Sequence, residues 1–158
     1  MVALLSACGS TSADDESAST ESGPGAATTG GPAEQTGPPV VGTTWAITRT
    51  GVAEATSEVP ADAQAYVLID EAGKVIGSTG CNGFGGEATV SADGTTISFG
   101  PLMSTKIACS GDLGTMDAAV LGVLTGAVTV EQSGAVMTLT TTTGESLVLT
   151  ADDTAPES

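Results

Sequence analysis

The chain has 158 residues, room for one domain with a genuine core, and 40% of them are hydrophobic. Nineteen acids stand against three bases, Arg49, Lys74 and Lys106, for a formal net charge of -16; such a surface repels phosphate backbones, so no nucleic acid is expected, and it offers no basic patch to anionic lipid headgroups. The chain has no histidine, which removes the commonest general base and the commonest metal ligand, and neither a cofactor nor a metal is expected.

At the N-terminus, Leu5-Ser6-Ala7-Cys8 resembles a bacterial lipobox: an apolar residue and two small ones give a peptidase access, and Cys8 then takes a diacylglyceryl group. A full signal peptide has a basic segment and about 7–15 apolar residues before its cleavage site. Here only a few residues and no base precede the box, so residues 1–8 read as a signal-peptide remnant whose translation start lies upstream. Residues 9–40 read as a disordered linker of Ser, Thr, Gly, Ala and Pro with five acids. Up to Pro39 its apolar side chains are alanines alone, too little to offset the entropy of ordering. A flexible chain of that length holds a domain on the order of 30 Å from its anchor.

The domain is expected over residues 41–151, with an acidic disordered tail at 152–158. Alternating apolar runs predict strands at Thr44–Thr48, Ala65–Asp70, Lys74–Ser78, Glu87–Ser91, Thr95–Phe99, Ser104–Ala108, Ala127–Gln132, Val136–Thr141 and Ser146–Thr150. Turn chemistry at Gly73, Gly94, Gly134 and Gly144 favours antiparallel hairpins. Period-two reading points Trp45 and Ile47, Ile97 and Phe99, Val128 and Val130, Met137 and Leu139, and Leu147 and Leu149 inward. One helix is predicted over Leu113–Leu124, capped by Asp112, with Met116, Val120 and Leu124 on one face and Ala119 and Val123 beside them. It is suited to covering an open end of the sheet. The expected fold is mainly β with one short helix, a small antiparallel barrel-like domain preceded by a disordered linker.

Three segments invite chemical readings. Gly83-Phe84-Gly85-Gly86-Glu87-Ala88 fits a GxGxxA spacing, but a strand follows rather than a helix, so no helix start is offered to a phosphate. The glycines are better read as a tight connection needing φ > 0, with Asn82 bonding buried backbone there. Ser104 and Lys106 alternate onto one strand face as a hydrolase dyad would, without the SxxK or KTG companions. Asp70 and Glu71 sit beside a turn with too few oxygens at ordered spacing for calcium.

Gly77-Ser78-Thr79-Gly80-Cys81-Asn82 with Phe84-Gly85-Gly86, then Phe99-Gly100-Pro101-Leu102 with Ser104-Thr105 and Ala108-Cys109, resemble the two signature motifs of the META/HslJ family. Gly42–Trp45, Ala65–Asp70, Met137–Leu139 and Gly144–Leu147 fit its opening and closing strands, so the resemblance spans about residues 41–150. It implies an envelope lipoprotein loosely tied to heat or stress responses, a fold and a place rather than a chemistry. Cys81 and Cys109 lie one in each motif. Outside the membrane such a pair is expected to form a disulfide, and closing a loop of about 28 residues contributes about 3.5 kcal/mol in the chain-entropy account. Separate buried thiols and a redox pair are the alternatives.

The expected function is a non-enzymatic, lipid-anchored envelope interaction or stress-related module on the outer face of the bacterial cytoplasmic membrane. Its expected contact surface is Asn82, Phe84, Pro101, Ser104 and Lys106. The membrane, through Cys8, and an envelope protein or small ligand are the expected partners of a monomeric chain. The alternatives are a small-molecule carrier with its ligand in the barrel and a Ser/Lys hydrolase.

Overall fold

The computed structural model describes residues 36–152. Cys8, the lipobox, the linker up to residue 35 and the tail from residue 153 lie outside the described residues. Ten strands form one sheet: β1 Thr44–Val52, β2 Ala55–Glu58, β3 Tyr66–Ile69, β4 Lys74–Ser78, β5 Gly83–Val90, β6 Thr96–Phe99, β7 Met103–Ser104, β8 Gly126–Ser133, β9 Val136–Thr141 and β10 Glu145–Ala151. A 3-10 turn at Ala61–Ala63 links β2 to β3, and one helix, α1, spans Asp112–Val123.

Eight strands close into an antiparallel barrel in the order β1-β3-β4-β5-β6-β8-β9-β10, and β10 pairs back onto β1 along its length. Closure removes the open edges that a sheet of this size would otherwise present. The remaining two strands are additions. One edge of β1 carries β3 at Thr44–Ala46 and β2 at Arg49–Val52, so β1 and β2 form a hairpin that leaves the wall of the barrel. β7 continues beside β5, opposite Phe84 and Gly85, where β6 has ended.

Inward alternation follows the expected faces. Trp45, Ile47, Ile97, Phe99, Val128, Val130, Met137, Leu139, Leu147 and Leu149 are all buried, with Val67, Ile69 and Val75 completing the interior. The interior is therefore filled mainly by branched aliphatic side chains, with Phe99, Met137 and one indole, whose N–H donates to the Val40 carbonyl at 3.2 Å. Val40, assigned from sequence to the linker, is buried, and the Pro38 carbonyl accepts from Gln132 Nε2 at 2.7 Å. Ordered packing thus begins a few residues before the expected boundary.

Helix α1 buries Met116, Val120 and Val123, with Leu124 just beyond, and packs against β1, β9 and β10. Its start differs from expectation. Gly111 (φ 64°), not Asp112, is the N-cap, and its carbonyl accepts from Gly114 and Thr115. Asp112 falls in the first turn, where a carboxylate complements the positive end of the helix dipole.

Three further expectations change. β2, Ala-Thr-Ser-Glu, is exposed throughout, so it has no apolar alternation to announce it. The glycine run is not a connection: Gly83, Gly85 and Gly86 are strand residues of β5. At Gly86 the reason is a close neighbour: a Cβ there would meet Leu102 Cδ2 at 2.6 Å and the Pro101 carbonyl at 2.8 Å. In that motif only Gly80, at φ 93°, takes a conformation that favours glycine. Finally, the strand expected at Ser104–Ala108 ends at Ser104, because the next polar groups bond across to the first motif.

Candidate functional site

The two signature segments meet at one end of the barrel, beside the start of α1. The first turns tightly: Thr79 N–H donates to the Asn82 carbonyl at 2.8 Å, and the Thr79 hydroxyl accepts from the N–H groups of Asn82 (2.9 Å) and Cys81 (3.3 Å). Gly80 permits the bend, which aims the Asn82 side chain at the second segment. Asn82 Oδ1 accepts from Ile107 N–H at 2.7 Å and from the Thr105 hydroxyl at 2.8 Å. A backbone N–H can only donate, so the orientation of this amide is fixed by its surroundings.

The other end of the amide reaches the helix. Asn82 Nδ2 donates to Asp117 Oδ1 at 3.1 Å, and the Thr79 hydroxyl donates to the same oxygen at 2.5 Å. Bonds to a carboxylate are the stronger kind, and here they tie the first segment to α1. Thr79 is fully buried and Asn82 is 4% exposed. Such groups are costly to bury unless paired, and here they are saturated. Thr105 adds a second clasp, its N–H donating to the Gly83 carbonyl at 3.0 Å while its hydroxyl accepts from Gly83 N–H at 3.1 Å.

A disulfide joins Cys81 to Cys109 across the same seam, with Cα atoms 6.2 Å apart. The alternative of separate thiols is not what this structure contains. Asn82 Nδ2 also lies 3.4 Å from Cys109 Sγ, so bond and amide form one cluster.

Of the expected contact surface, Asn82 and Phe84, the latter 5% exposed, are buried and unavailable to a partner. Both motif side chains point into the protein, Asn82 to saturate backbone and Phe84 to fill the core. Pro101 and Lys106 are exposed and Ser104 is half-buried. No hydrogen bond joins Ser104 to Lys106 among the described residues, so no nucleophile–base pair is assembled there. Asp70 is a turn residue whose Oδ1 accepts from the N–H groups of Ala72 (2.9 Å) and Lys74 (2.8 Å). Among the described residues no three Cys, Asp or Glu side chains converge on a metal position.

Sequence reasoning missed Asp117, Met103 and Ile107. Asp117 borders the apolar face of α1 next to Met116, the one signal that could have found it. Met103 is 82% exposed and Ile107 61% exposed. Ile76 and Met103 both lie opposite Gly85, giving an outward apolar row across β4, β5 and β7. At the helix-covered end, two adjoining depressions of about 290 and 740 Å³ share Thr50, Ser57 and Thr115 and form a groove between the β1–β2 hairpin and α1.

The META domain family matches residues 38–154. Two solved structures share the fold. An NMR structure of a protein from Burkholderia xenovorans is 23% identical, with a TM-score of 0.59 over 72% of this chain and 84% of that one. A second NMR structure is 21% identical, with a TM-score of 0.55 over 68% of this chain and 87% of that one. No curated protein matches the chain.

Proposed function

Since the chain belongs to the META domain family, we propose that it is a lipid-anchored binding module of the bacterial envelope, held on the outer face of the cytoplasmic membrane through Cys8 and acting without catalysis. One observation carries the non-catalytic reading. Thr79 and Asn82 of the first motif and Thr105 of the second are consumed by one another, by backbone and by Asp117 of α1, and both motif cysteines by their disulfide. A catalytic group needs an atom free to meet substrate at the right geometry. What the motif end of the barrel offers outward is Pro101, Met103, Lys106, Ile107 and the groove beside α1, which is recognition surface.

The packed interior weighs against a carrier with its ligand inside the barrel. Trp45, Ile97, Leu139, Leu147 and Leu149 occupy the volume such a ligand would need.

The test is twofold. Membrane fractionation of cells making the full chain should recover it with the membrane, and Cys8→Ser should release it. Purified protein should show no turnover on ester, amide or glycoside substrates beyond that of Lys106→Ala. Turnover lost in Lys106→Ala while the fold is kept would contradict the reading.

A further inference from the structure

We propose that the groove between the β1–β2 hairpin and α1 is a docking site for a basic, amphipathic peptide segment of a partner protein. The proposal rests on the binding-module reading and assigns it a site and a partner chemistry. The groove runs past Thr50, Ser57 and Thr115, and its floor is apolar, with Val123 and Ala119 at one end and Met116 and Ala63 at the other. Its rim is acidic: Glu145 borders the smaller depression and Glu58, Asp62 and Asp112 the larger, with no basic residue lining either.

Two offsets apply. Arg49 pairs with Glu58 at 3.2 Å, and the start of α1 contributes about half a positive charge. The rim still keeps roughly two and a half negative charges against a low-dielectric floor, the arrangement that concentrates cations. Alternating basic and apolar side chains on an extended segment would match rim and floor together.

The protein's own flanks are poor occupants. Residues 9–35 and 153–158 hold acids and no base, so the groove repels them. The disulfide belongs to this site as well: Gly80 and Ser110, which line the larger depression, are the neighbours of Cys81 and Cys109. The bond therefore fixes one end of the groove before a partner arrives, which lowers the ordering cost of binding.

The test uses the full chain, a nonapeptide of alternating Lys and Leu, and its Glu/Leu counterpart, followed by amide chemical-shift mapping. The Lys/Leu peptide should bind saturably, with shifts concentrated at Ser57, Thr115, Ala119 and Glu145. The Glu/Leu peptide should not bind. The pair Asp62→Asn and Asp112→Asn should weaken binding about tenfold. The pair Glu71→Gln and Glu131→Gln removes the same charge away from the groove and should change affinity less than twofold. Thr115 is exposed, so Thr115→Trp fills the groove without touching the core and should abolish the mapped shifts. Equal losses from the two charge pairs, or shifts spread over the whole acidic surface, would reduce the effect to net charge and overturn the site. Should membrane anchoring and partner capture persist when no peptide maps to the groove, the site falls and the binding module stands. Turnover dependent on Lys106 would overturn the module reading itself.

Discussion

Replacing Asn82 by alanine removes the two ends of the amide that hold the motif end of the barrel together. Ile107 N–H and the Thr105 hydroxyl lose their acceptor, at 2.7 and 2.8 Å, and Asp117 loses a donor at 3.1 Å. A neutral bond contributes about 1 kcal/mol net, and one to a charged group about 1.5–3 kcal/mol. Water reaches the exposed side of the Thr105–Ile107 segment and recovers part of this, so the expected loss is about 3 kcal/mol. That is comparable with the disulfide, at about 3.5 kcal/mol for its loop. Urea melts of wild type and Asn82→Ala under oxidising conditions measure the loss, and the midpoint should fall without a change in slope. Asn82→Asp should be as costly, since it sets a second carboxylate against Asp117. Adding Asp117→Asn should recover much of that cost by restoring a donor–acceptor pair. A loss below about 1 kcal/mol for Asn82→Ala, or no rescue in the exchanged pair, would refute the view of this cluster as a structural hub.

Other perturbations test other parts of the fold. Reducing the disulfide, or replacing both cysteines by alanine, should lower stability by about 3.5 kcal/mol, and an unchanged melt in reductant would show that Cys81 and Cys109 contribute nothing. Gly77→Ala should destabilise by about 1–3 kcal/mol, since its Cβ would collide with the Phe84 ring and the Tyr66 carbonyl, whereas Gly83→Ala, whose nearest neighbour is the Gly77 carbonyl at 3.9 Å, should be tolerated in the same thermal melt. The Ser91 hydroxyl, and then the N–H and hydroxyl of Thr95, hold the Asp93 carboxyl below its ordinary value of 3.8. A lowered carboxylate contributes stability above its unfolded value and loses it as pH falls through the lowered one, so a carboxyl NMR titration should give a midpoint below 3.8, and Asp93→Asn should flatten that part of the acid limb.

The barrel was largely legible because its strands alternate. Ile97 with Phe99, Val128 with Val130, and Leu147 with Leu149 announce one buried face each, and glycines with positive φ at Gly73, Gly94, Gly134 and Gly144 mark the turns. Where alternation is absent or misleading, sequence reading failed for physical reasons. β2 buries nothing, so only its pairing with Arg49–Val52 reveals it. Ser104–Ala108 alternates like a strand, yet Asn82, distant in sequence, captures Ile107 N–H before a ladder can form. The same long-range bond explains why Asn82 is structural rather than exposed. Its saturation was anticipated, but its burial depends on Asp117, which only the docking of α1 brings near. The groove was illegible for the same reason, since its walls come from two segments separated by the rest of the barrel.

The central claim is that this protein works by binding from a membrane tether. The most direct test is in-cell photo-crosslinking, with a photoreactive residue placed at Thr115 in the groove or at Thr129 on the outer wall of β8, each with Cys8 intact or replaced by serine. The account predicts a discrete protein adduct from Thr115 with Cys8 intact, sharply reduced in Cys8→Ser and absent from Thr129. Equal adducts from both positions, or a Thr115 adduct indifferent to Cys8, would contradict it.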